Sequence, residues 1–149
     1  MNGKSNAGIR SFLLLAVILS AVLAVLFRKS FAPDQALFSN DGPLGAILSR
    51  PIKMPDAFFG IWNDNYWIGA YNGNLSPNFR GLLHWIYQGV ARVNFYCPTT
   101  ALILGLCSWV VYRSIGCNSR ASILAGLSAA LNMNYFSNAA WGLGTRGLA

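Results

Sequence analysis

The side chains able to move a proton or hold a cation are gathered in one stretch of this chain. All four acids are aspartates, Asp34, Asp41, Asp56 and Asp64, and the only histidine, His84, follows them. A carboxylate can accept a proton from a hydroxyl or ligate a divalent cation, and an imidazole can exchange a proton near neutral pH. Each also has a plainer reading. Asn40-Asp41-Gly42-Pro43 is good turn chemistry. Asp34, behind Pro33, suits a helix cap, Asp64 suits a solvated loop, and a lone histidine near an interface is usually a satisfied polar group. Arg80 and Arg92 can meet a phosphate or simply anchor an interface through their apolar stems.

The three cysteines do not form a ligand set. Cys97 and Cys107 lie in an apolar run and Cys117 in a short basic connector, with no CxxC or Cys/His spacing. An odd count argues against a disulfide framework, so they read as small apolar core residues. No phosphate-binding loop, zinc spacing or nucleophile elbow occurs, and no metal site follows from spacing.

The elements that must position these residues are apolar. The chain has 149 residues, 54% hydrophobic and only 10% charged, against roughly 25% charged in an average soluble domain. It has no glutamate, the usual residue of water-facing helical surfaces. The net charge of +7 comes from eleven Lys and Arg placed singly or in one pair. A nucleic-acid binder would cluster them on one face or stripe, so no nucleic-acid partner is expected. Here they bracket apolar runs, as cations do around membrane spans.

Three runs stand out, and the fold class they predict is an all-α, polytopic transmembrane protein with about three crossings. After a tail at 1–10, the first run covers 11–27 without a charge, between Arg10 and Arg28-Lys29. At 1.5 Å per residue it spans about 26 Å, the short end of what crosses a bilayer. A cleaved signal peptide is the rival, with Ser30-Phe31-Ala32 as a passable cut. The long apolar region and the crowding by a basic pair and Pro33 favour an uncleaved anchor. The second crossing is placed at 93–112, where Pro98 should kink the helix or mark its beginning. A connector at 113–120 follows. The third is placed at 121–141, rich in small residues that let membrane helices approach closely, then polar at Asn132, Asn134 and Asn138. The chain stops at Gly147-Leu148-Ala149 without a polar tail, and 142–149 reads as the start of an interrupted continuation.

Between the first two crossings lies a long segment, 28–92, expected to be partly helical. In Pro55 to Tyr66 the aromatics Phe58, Phe59, Trp62 and Tyr66 recur at helical steps, which fits a helix at headgroup level or a stripe packed on its neighbours. A second helical pattern runs from Asn78 to Val93. The connector holds Arg113 and Arg120 and no acid, so it should be cytoplasmic. Counting back puts the long segment outside and the amino terminus inside, with Arg28-Lys29 dissenting.

This layout resembles the start of GT-C-type glycosyltransferases and, more narrowly, is similar to the YfhO-like family of large bacterial membrane proteins. The carrying segments are Phe38-Ser39-Asn40-Asp41-Gly42-Pro43-Leu44-Gly45, Trp67-Ile68-Gly69, Leu75-Ser76-Pro77-Asn78, Trp109-Val110-Val111-Tyr112-Arg113-Ser114-Ile115-Gly116 and Ala139-Ala140-Trp141-Gly142-Leu143-Gly144. The resemblance implies a multi-pass protein of the bacterial inner membrane. Its function would be to move a sugar from a lipid-phosphate donor at the outer face, the chain being the amino-terminal part of a larger transferase and inactive alone. Membrane lipid and a lipid-linked sugar donor are the implied partners. An acidic residue of the first outer loop activates the acceptor or helps hold a metal in such enzymes, a role that falls on Asp41. Several show an Asp-Glu pair where this chain has Asn40-Asp41, so a divalent cation would lose one ligand and general-base chemistry gains. Asp64 would hydrogen-bond the sugar, Arg80 would meet the lipid phosphate, and His84 would line the same site. The alternative is a non-catalytic membrane anchor or assembly protein whose outer loop binds a partner.

Overall fold

In the computed structural model, residues 2–32, 35, 62–63, 70–71, 82–83, 86–87 and 90–140 are described. They are mostly helical. Helix α1 is Asn2–Leu26, α2 is Val90–Ser114, α3 is Ser119–Ala130 and α4 is Met133–Ala140. Two short strands, β1 (Trp62–Asn63) and β2 (Ala70–Tyr71), pair antiparallel with Trp62 opposite Tyr71 and Asn63 opposite Ala70. The helical reading of Pro55 to Tyr66 is therefore corrected at Trp62, where a ladder partner two strand positions long wins over the aromatic spacing. The rest of that reading lies outside the described residues.

Helix α1 contains no proline and is apolar from Ser11 onward. It ends in a single 3-10 turn, Arg28–Phe31, after which Ala32 is extended at φ −71° and ψ 138°. The next residue is Pro33, whose ring disfavours helical geometry in the residue before it. Along α1 the buried residues Ser11, Leu15, Leu19, Leu23 and Phe27 recur every fourth position, forming one ridge. The Ser11 hydroxyl is satisfied within the helix, donating to Gly8 O at 2.8 Å. Leu13, Leu14, Val17, Val25 and Leu26, on the other faces, are exposed.

The ridge packs into the groove between α2 and α3. Phe12 meets Trp109 edge-on at 5.1 Å between centroids, and Phe31 stacks on Phe95 at 5.2 Å. Those two pairs set α1 antiparallel to α2. Helices α2 and α3 touch backbone to backbone: a Cβ built on Gly126 would lie 2.8 Å from Gly105 O and 2.6 Å from Leu15 Cδ2. One built on Gly105 would lie 2.5 Å from Leu19 Cδ2, 3.0 Å from Gly126 O and 3.1 Å from Ala130 Cβ. Small residues at a crossing allow this approach.

The turn between α2 and α3 is closed by hydrogen bonds at both helix ends. Gly116 is left-handed at φ 89°, Cys117 N–H donates to Tyr112 O at 3.0 Å, and Gly116 N–H donates to Arg113 O at 3.1 Å. This is a Schellman ending, which glycine adopts without a Cβ penalty. Arg113 Nη1 adds a bond to Cys117 O at 2.6 Å. Asn118 then caps α3, its Oδ1 accepting from Ala121 N–H at 2.9 Å.

Two expectations for the apolar runs change. Of the two readings of Pro98, the one that has it mark the beginning of the second helix is corrected: it is inside α2, which begins at Val90. The third run is not one helix. It is 12 residues of α3, a break at Leu131-Asn132, and 8 residues of α4. The break is built by the asparagines: Asn132 Oδ1 accepts from Asn134 N–H at 3.0 Å, and the helical ladder resumes with Phe136 N–H to Asn132 O at 2.8 Å. Short amide side chains compete in this way with the backbone ladder.

Candidate functional site

The last turn of α1 and the first turns of α2 meet at one end of the bundle, where Ser30 Oγ donates to Asn94 O at 3.0 Å. The reason lies four residues on. Proline has no N–H, so Pro98 leaves the carbonyl of Asn94 without its helical donor. Both Ser30 and Asn94 are buried, and an unmet carbonyl there would cost about 1–3 kcal/mol. The Ser30 hydroxyl supplies the missing donor. With its amide nitrogen facing the carbonyls, Asn94 also donates to Ser30 O at 3.3 Å and to Gln35 O at 3.1 Å.

Aromatic rings surround this clamp. Phe95 lies between Phe31, at 5.2 Å, and Tyr87, at 6.3 Å, both nearly parallel to it. Tyr87 and Thr99 share a hydrogen bond of 3.1 Å between their hydroxyls. Phe27, one turn below, meets Phe136 of α4 edge-on at 5.6 Å. Arg28 and Lys29 are exposed beside the rings. The Ser30, Tyr87 and Thr99 hydroxyls are engaged within the fold, which leaves the exposed Arg28, Lys29 and Phe95 as the groups open to the surroundings here.

Proton transfer is another matter. All four aspartates and His84 fall outside the described residues, as do the expected site residues Asp41, Asp64 and Arg80. Among the described residues no group of three or more His, Cys, Asp or Glu could hold a metal ion. What the fold does fix is the attachment of the segment that carries them. It leaves after Ala32 and returns before Val90, and the Ser30–Asn94 bond holds those two points together. Asp41, eleven positions past Ser30, is within about 40 Å of the clamp along the chain at most.

The clamp was absent from the expectations drawn from sequence, though a signal for it exists. A buried proline inside an apolar helix always frees the carbonyl four residues before it, which here is Asn94. That carbonyl needs a donor from elsewhere. Comparison with protein families, curated proteins and solved structures finds no match to this chain.

Proposed function

We propose that this chain is an integral membrane protein with three crossings, the third made of α3 and α4 together, whose outer segment works on a lipid-linked sugar in the manner of GT-C-type transferases. The observation that carries the membrane part is what the apolar helices leave uncovered. Ala7–Leu26 and Val93–Ser114 are long and apolar enough to span, yet only 22% and 33% of their most apolar windows are buried. A core helix of a water-soluble protein would be mostly buried. The outward leucines and valines of α1 instead face hydrocarbon, which covers them without further protein.

An uncleaved first helix also fits the packing. Leu15 and Leu19 are fully buried against α2 and α3, so removal of α1 as a signal peptide would strip both helices of an apolar neighbour they share. The amino terminus, Arg10, Arg113 and Arg120 then lie on the cytoplasmic side of a bacterial inner membrane, and the clamp faces outward. The transferase part rests on the resemblance around Asp41, which acts as the base toward an acceptor hydroxyl.

The native cysteines test the membrane part. Cys107 is exposed on α2 and Cys117 is half-buried in the connector. In a bilayer, a hydrophilic maleimide labels Cys117 and spares Cys107, because the reagent does not enter hydrocarbon. Equal labelling of the two would place the bundle in water and end the proposal. For the transferase part, Asp41→Asn in the full-length protein should lower sugar transfer in membranes by about 100-fold or more with insertion unchanged. Undiminished transfer would leave the partner-binding anchor as the better reading.

A further inference from the structure

We infer that Arg10, Arg113 and Arg120 hold the phosphate of an anionic phospholipid of the inner leaflet, at the corner where α1 runs past the α2–α3 turn. The inference rests on the membrane reading above and adds to it a lipid class and a site. Its level follows from packing. Phe12 and Trp109 meet edge-on at 5.1 Å. Arg113 stands one turn beyond Trp109 toward the α2–α3 turn, and Arg10 half a turn beyond Phe12 in the same direction. At 1.5 Å per residue their backbones differ in level by about 3 Å. Both cations are inside the ends of the apolar spans, Arg10 three positions from the start of Ala7–Leu26 and Arg113 one position from the end of Val93–Ser114. Arg120 is in the first turn of α3, across the connector.

Cations at that depth meet the headgroup layer, and this chain gives them no counter-charge there. Residues 1–32 and 90–149 contain no Asp or Glu. All four aspartates belong to the segment that leaves after Ala32 and returns before Val90. Those two points are joined at the clamp, the opposite end of the bundle, so the membrane reading sets a bilayer between the aspartates and these arginines. Arg113 is also held at its level. It is half-buried, and its Nη1 donates to Cys117 O at 2.6 Å. That bond uses one guanidinium donor and orients the group, leaving others to make the paired bonds that phosphate oxygens accept. Arg10 and Arg120 are exposed at the same end.

The apolar surface beneath the cations favours a lipid over a free anion. Leu13, Leu14 and Val17 follow Arg10 at three, four and seven residues, on one face of α1, and all are exposed. On α2, Val110 is exposed three residues inward of Arg113. A phosphate on the guanidinium groups therefore has its acyl chains directed along the same faces. A zwitterionic phospholipid brings its own cation, whereas a net negative one gains from each arginine.

The test uses the full chain in carbonate-washed liposomes of equal parts phosphatidylethanolamine and phosphatidylglycerol, moved into mild detergent for native mass spectrometry. Phosphatidylglycerol is expected to stay bound in preference to phosphatidylethanolamine. Arg113→Gln and, separately, Arg10→Gln should each lower its retention by about fivefold. Arg28→Gln with Lys29→Gln, at the opposite end, should leave it unchanged. Should Arg113→Gln unfold the turn, Arg10→Gln with Arg120→Gln replaces only exposed side chains and reads the same site. Chain from phosphatidylethanolamine alone, given inorganic phosphate, should carry no phosphate; a bound one would make the ligand a free anion and overturn the lipid assignment. Equal retention of the two lipids overturns the inference and leaves the membrane reading standing. So does retention that no arginine variant lowers, or an equal loss when Arg28 and Lys29 are replaced. Extraction of the chain by carbonate removes both.

Discussion

Ser30, Asn94 and Pro98 act as one unit at the residue scale, because the helix carbonyl that proline orphans is met by a hydroxyl from another helix. Ser30→Ala should therefore lower stability by about 1–3 kcal/mol, read as a fall in the unfolding midpoint in detergent. Pro98→Ala restores an N–H that can return to Asn94 O. In the double variant the loss from Ser30→Ala should shrink by about 1 kcal/mol, and strict additivity would show that the hydroxyl serves no such purpose. Sequence made Pro98 visible as a disturbance but not its remedy. The donor sits 64 positions from its acceptor, a separation no local pattern can bridge.

At the scale of elements, the two glycines of the α2–α3 contact and the one in the turn should behave differently. Gly126→Ala sets a methyl 2.8 Å from a backbone oxygen, which cannot swing away as a side chain can. Overpacking of this kind costs about 1–3 kcal/mol and pushes the helices apart, measurable as a lower midpoint together with faster exchange of amides in α3. Gly116→Ala meets nothing within 4 Å. Its penalty is the left-handed backbone alone, about 1–2 kcal/mol, and Asn at the same position should recover most of it. The two long apolar helices were legible because no charged residue interrupts 11–27 or 93–112. The third run was legible as apolar but not as broken. Its asparagines marked polarity, while the choice to cap rather than continue depends on where their amides find partners. The aromatic spacing around Trp62 likewise satisfied a helix, yet a cross-strand partner decided the outcome there.

At the scale of the whole molecule, orientation is the quantity that sequence leaves most evenly balanced. Among the described residues Arg10, Arg113 and Arg120 gather at one end of the bundle and Arg28 and Lys29 at the other. With the amino terminus inside, a membrane-impermeant reagent added to intact cells should leave Cys117 unmodified and modify it fully in inverted vesicles. The reverse pattern would turn the clamp, and the chemistry assigned to Asp41, toward the cytoplasm. Asp41, Asp64, Arg80 and His84 were candidates by residue type and resemblance alone, and the fold bears on them only through the shared anchorage of their segment. That anchorage also has a consequence for biogenesis. If the chain spans the bilayer as proposed, Ser30 leaves the ribosome well before Asn94 and Pro98, so the hydroxyl is already in the membrane when the proline-bearing helix arrives. The second helix thus enters against a template that completes its backbone. Moving α1 to the carboxyl terminus by circular permutation would make the same helix wait with a bare carbonyl in oil, and insertion should slow accordingly.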